Sequence, residues 1–336
     1  MSNMADQLLL TEAENGAARS TTLPDSKTVD RFHVLMACIA GSLALVVGIA
    51  LRIESVSIAK LELVQFSVVP LIAICATAGY CHWAGNDRLR DGCLLIAWSS
   101  LFVNLLQLPS LVTARSGLPL VDPLLVKCDR FMGLDCAAVV TWTRAHPLVN
   151  LFSTVSYTFM QWLVAAAIFV TSLSGNLKRA KVLILATSIS AIAASLVLTV
   201  MPAVGPWYGF NFRPFPEQAT FMREFYALRA SGPFSADPNY KGGLISFPSF
   251  HVALAVMAAY TLWPYRRLRW PAIVLAAMVV VSTVTTGWHY ATDGIAGAAL
   301  AVACIQLARK CIDGEHCAMK AGTAEKQCSG KHTTCG

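Results

Sequence analysis

An all-α fold, a polytopic membrane helix bundle of about eight transmembrane helices, is what the sequence predicts, on three observations. Of 336 residues, 56% are hydrophobic and only 13% charged, against roughly 25% charged in soluble domains. Apolar runs recur at about 34–52, 63–84, 92–113, 149–173, 180–202, 248–265, 270–287 and 293–310, each near the ~20 residues that cross about 30 Å of hydrocarbon. The basic groups Arg88/Arg90, Lys178/Arg179/Lys181, Arg266/Arg267/Arg269 and Arg309/Lys310 fall at alternate loops, as cytoplasmic loops do.

Residues 1–32 form a polar cytoplasmic tail that lacks the basic start and small-residue cleavage site of a secretory signal, so the first run reads as a retained anchor. Residues 33–310 read as one integral membrane domain. The polar segments 114–147 and 203–247 face outward; Arg52 and Lys60 on that side run against the charge rule. Cys128 and Cys136 share the first of these segments, which permits a disulfide in an oxidising compartment. The sixth run starts behind Pro248, a residue suited to a first helical turn, with Ser246 or Ser249 as cap. Gly294 and Gly297 give the eighth run a small-residue face for close packing.

The stretch 311–336 is a cytoplasmic tail with Cys311, Cys317, Cys328, Cys335, His316 and His332. It lacks the close cysteine pairs of structural zinc sites and reads as disordered and reduced. Cys38, Cys75, Cys81, Cys93 and Cys304 lie in or beside apolar runs and read as small hydrophobes. A net charge of +7 does not make a nucleic-acid binder, because the basic residues sit in short loops rather than in a stripe with aromatics. A transporter would show ionisable residues in several mid-spans or interrupted repeats, and neither is present.

Two polar clusters carry the chemistry: "SFPSFH" at 246–251 and "TGWHYATDG" at 286–294. The 38 residues from His251 to His289 are about what one helix in and one helix back require at ~1.5 Å per residue, so both rings reach the outer face. Asp293 follows His289 by four positions. On a helix the two share one face, leaving the second ring nitrogen of the histidine as nucleophile or base. The start of the sixth run offers unpaired N–H groups and a positive dipole end, a natural phosphate seat.

Pro248, Ser249 and His251, followed by Ser282, His289 and Asp293, resemble the membrane-bound type-2 phosphatidic acid phosphatase superfamily. Phe250 replaces a glycine, Thr283 an arginine, and Pro206 the lysine seven residues before Arg213. Phe247 to His251, His289-Tyr290 and "MPAVGPWYG" at 201–209 are similar to its inositol-phosphorylceramide-synthase-like (inositolphosphotransferase) branch. The resemblance covers roughly 149–310, the expected catalytic core; before it, only the segment with Asp129 and Asp135 is weakly similar.

The resemblance implies that His289 forms a phosphohistidine, with Asp293 orienting it, His251 protonating the leaving group and Ser249 binding phosphate oxygens. Arg213, before Arg223, Arg229 or Lys241, supplies the charge missing at 283. It implies no cofactor, and no metal is expected, since the carboxylates do not cluster. The expected activity is a lipid phosphatase or phosphotransferase on a lipid phosphate ester, with water, inositol or another alcohol as acceptor. The expected location is a bacterial inner membrane, with the site facing the periplasm. The rival is a non-catalytic protein that binds or transports a phospholipid headgroup.

Overall fold

The computed structural model describes residues 31–57, 69–105, 108–230, 232–235 and 245–330. Its helices in chain order are α1 (Arg31–Ile53), α2 (Val69–Trp83), α3 (Asp87–Leu105), α4 (Leu108–Thr113), α5 (Asp122–Phe131), α6 (Cys136–Ala145), α7 (Pro147–Leu173), α8 (Leu177–Val200), α9 (Pro206–Gly209), α10 (Pro216–Arg229), α11 (Phe250–Leu262), α12 (Arg269–Thr285) and α13 (Ala291–Gly330). Every apolar run carries a helix. Four stretches, α1, α7, α8 and 291–314 of α13, are long and apolar enough to cross a membrane. α11, α12 and Leu71–Trp83 are shorter apolar helices. Among the described residues, β structure is a two-residue parallel ladder, β1 (Val56–Ser57) with β2 (Phe234–Ser235).

α11 is apolar on every side, the pattern of a helix surrounded by protein. Val252 to Ala255, Met257, Ala258, Thr261 and Leu262 are buried among α7, α8, α12 and α13. Phe32 and Met36 of α1 and Leu95 and Phe102 of α3 join the same cluster. Small residues allow the close approach. A Cβ on Gly297 of α13 would fall inside the contact shell of the Ser249 carbonyl, whereas one on Gly294 would meet Val252 at an ordinary 3.7 Å.

Two expectations are corrected, and one question left open is answered. Of the two expected caps Ser249 is the one used, its Oγ accepting the Val252 N–H at 3.4 Å, and Pro248 lies one position outside α11 rather than in its first turn. Cys128 and Cys136, for which a bridge was left open, are free thiols. α13 stays helical to Gly330 where disorder was expected, since 315–328 holds Ala, Lys, Glu and Gln without proline, residues of good helix propensity. The N-terminal tail to residue 30, Lys60, Lys241, residues 331–336 and the tail side chains past 314 lie outside the described residues.

The Ser249 contact generates a paired prediction. Gly297→Ala lowers stability by about 1–3 kcal/mol through overpacking, while Gly294→Ala leaves it unchanged or slightly raised. Thermal unfolding of the full chain in detergent checks this; equal midpoints for both variants contradict it.

Candidate active site

α12 ends where Thr283 turns its carbonyl to the N–H groups of Trp288 and His289, at 3.1 and 3.0 Å. Gly287 takes the bend at φ +75°, a conformation that suits a residue without Cβ. This turn swings His289 under the start of α11. There the ring Nδ1 lies 2.9 Å from the Ser246 carbonyl oxygen and 3.5 Å from Asp293 Oδ2. A carbonyl only accepts, so Nδ1 carries the hydrogen and Nε2 keeps its lone pair.

Asp293 meets His289 by a different route from the helical one expected. Residues 288–290 are not helical; Asp293, in the first turn of α13, reaches back to the Tyr290 N–H at 3.0 Å, half of a capping box. That same oxygen faces the histidine. The Ser249 N–H in turn donates to the Asp293 carbonyl at 3.1 Å, which ties the two polar clusters together.

His251 stands in the first turn of α11, its ring centroid 5.8 Å from that of His289 and tilted by 53°. Tyr157 of α7 stacks on it at 4.3 Å, with the hydroxyl 3.3 Å from Nδ1. Tyr157 also stacks with Trp288, which meets Trp207 and Phe221 edge-on. Ser249 is fully buried beside these rings; its oxygen caps α11 and its hydroxyl hydrogen remains available to donate. His251, His289, Asp293 and Ser249 are therefore brought together.

Arg213 shares no hydrogen bond or ion pair with these four among the described residues. It is exposed on a cavity of about 550 Å³ lined by Arg144, Arg213, Pro214, Phe215, Pro216 and Ala219, with neither histidine among the lining residues. Arg229 hydrogen-bonds the Leu118 carbonyl, and Arg223 bonds Thr220. Thr283 is buried with its hydroxyl donated to the Val280 carbonyl.

The turn is held from outside by α5, whose role the sequence hardly signals. Asp129 accepts from the Ala291 and Thr292 N–H groups at 3.0 and 2.9 Å, from the Thr292 hydroxyl at 2.6 Å and from the Cys136 thiol at 3.1 Å. Burial and the Asp129 contact push the Cys136 thiol pKa up, so it stays a donor. Asp122, seven residues earlier on the same helical face, accepts from the Val204 and Gly205 N–H groups and the Tyr290 hydroxyl at 2.8 Å. Burial raises the Asp122 carboxyl pKa, and these donors pull it back. Tyr290 is fully buried, not a member of an interfacial aromatic belt.

A family model described as the PAP2 superfamily matches residues 123–307. The match begins within α5, earlier than the motifs alone suggested. No curated protein and no solved structure matches the chain.

Removing the Tyr290 hydroxyl strips Asp122 of a donor in a buried place. Tyr290→Phe is expected to cost roughly 1–3 kcal/mol, read as a lower unfolding midpoint in detergent. An unchanged midpoint would mean that the Asp122 contact holds nothing.

Proposed function

The chain belongs to the PAP2 superfamily, and from that premise we propose a membrane lipid phosphatase or phosphotransferase acting on a lipid phosphate ester. The observation that carries this is the engagement of His289 Nδ1 by Ser246 and Asp293, which directs reactivity to Nε2. The Nε2 lone pair attacks phosphorus and a P–N bond forms. The ester P–O bond breaks, and protonated His251 gives its proton to the departing oxygen. Neutral His251 then takes a proton from water or an alcohol, whose oxygen attacks phosphorus and releases His289. Ser249 and the first-turn N–H groups of α11 hold the phosphate oxygens.

In this reading the eight apolar helices cross the bilayer, and His251 and His289 sit at its outer rim, facing the periplasm of a bacterial inner membrane. The lipid enters sideways with its tails in hydrocarbon. The His289-Tyr290 pair and the Phe247 to His251 stretch favour the inositolphosphotransferase branch, with inositol or another alcohol as acceptor. A headgroup panel with and without inositol, scoring free phosphate and lipid product together, separates hydrolysis from transfer.

The test compares variants on two kinds of ester. His289→Ala abolishes turnover and the acid-labile phosphate on the protein. His251→Gln slows cleavage of an alkyl phosphate about 10²- to 10⁴-fold, the range for general acid catalysis. It slows a nitrophenyl phosphate far less, because that leaving group needs no proton. Equal turnover by wild type and His289→Ala would remove His289 as the nucleophile, wild type without turnover would leave headgroup binding as the function, and equal slowing of both esters would remove His251 as the acid.

A further inference from the structure

The cavity beside the catalytic turn holds two cations and no carboxylate. Its lining residues are Arg144, Arg213, Pro214, Phe215, Pro216 and Ala219. Arg144 donates through Nη1 to the Arg213 carbonyl at 2.7 Å, and its guanidinium lies 3.9 Å over the Phe215 ring. Its Nε and Nη2 are buried with no hydrogen-bond partner among the described residues. An arginine cannot shed its charge to escape that position, so the charge stays beside Arg213 with no carboxylate among the residues that line the cavity. Burial and the neighbouring Arg213 both act against the Arg144 charge, a cost that an anion would reverse. The first turn of α10 begins at Pro216 on the same cavity and adds the positive end of its dipole. Glu217, in that turn, does not line the cavity.

The cavity is tied to the catalytic turn from three sides. A Cβ on Gly287 would stand 3.0 Å from Val140, one turn before Arg144 on α6, and 3.1 Å from Phe212. Gln218 donates to the Thr286 carbonyl at 3.1 Å and accepts the Phe215 N–H at 2.9 Å. Gly287 is two residues from His289. All the lining residues belong to the polar segments between apolar helices, where Arg213 is exposed, so the cavity lies outside the apolar runs.

We infer that Arg144 and Arg213 form a second anion site, which takes a phosphate group distinct from the one bonded to His289. Paired guanidinium groups suit phosphate oxygens, because each keeps its charge and offers a planar set of N–H donors. The group arrives either as a free phosphate in solution or as a further phosphate on a lipid headgroup. The name of the neighbouring site rests on the functional reading above, but the binding of an anion in this cavity does not.

The experiment uses the full chain in zwitterionic nanodiscs. One arm titrates inorganic phosphate by calorimetry; the other measures affinity for lipids carrying one or two phosphates. Wild type, Arg144→Ala, Arg144→Lys and Arg213→Ala are compared. Arg213→Ala is included because Arg144→Ala also removes the bond to the 213 carbonyl. Loss of one arginine is expected to weaken binding about tenfold or more, and Arg144→Lys to recover part of it.

A loss confined to inorganic phosphate identifies a soluble anion. A loss confined to the doubly phosphorylated lipid identifies the headgroup. Unchanged affinity in both arms, or equal losses for lipids with one and two phosphates, overturns the proposal. Failure of the functional reading appears separately, as wild type that turns over no lipid phosphate.

Discussion

The arrangement depends on one hydrogen bond, from His289 Nδ1 to the carbonyl oxygen of Ser246 at 2.9 Å. An imidazole has two nitrogens of different character, and its neighbours decide which one reacts. Here the shorter contact comes from a backbone carbonyl that cannot donate, while Asp293 stands further off at 3.5 Å. The carboxylate supplies charge to the ring, and the carbonyl sets its tautomer and direction. Because Ser246 precedes the cap of α11 and His289 follows the end of α12, this bond also holds two separate helix ends in register.

Such a turn needs support, since residues 288–290 lack a helical ladder of their own. α5 provides it by placing Asp122 and Asp129 on one face and burying both completely. Buried carboxylates are costly unless they accept several hydrogen bonds, and both accept from backbone N–H groups as well as side chains. The load is divided along the turn. Asp122 holds Tyr290 and the 204–205 peptide, and Asp129 holds the first N–H groups of α13. Gly209 leaves room for this, since a Cβ there would collide with the Tyr290 hydroxyl. The family match that starts within α5 agrees with a core that includes this clamp.

Much of this was legible because it rests on residue type and spacing. Long apolar runs announce helices whatever their partners, and His251 and His289 are one helical return apart. What escaped the sequence has no residue signature. The Ser246 carbonyl is backbone, and any residue could present it. Tyr157 lies in an apolar run where an aromatic reads as packing. Asp293 was read on a helix with His289, and the two meet instead through a capping turn. Arg213 was expected to fill the charge missing at 283, but loop geometry carries it to a cavity shared with Arg144, a residue that nothing in the polar segment singled out.

The most direct measurement is the position of phosphorus on the His289 ring. The chain is quenched during turnover of a lipid phosphate, and the phosphohistidine is resolved by ³¹P–¹⁵N correlation. With Nδ1 engaged by Ser246, the phosphorus belongs on Nε2. Phosphorus on Nδ1, or a protein that turns substrate over without ever carrying phosphate on His289, contradicts the account.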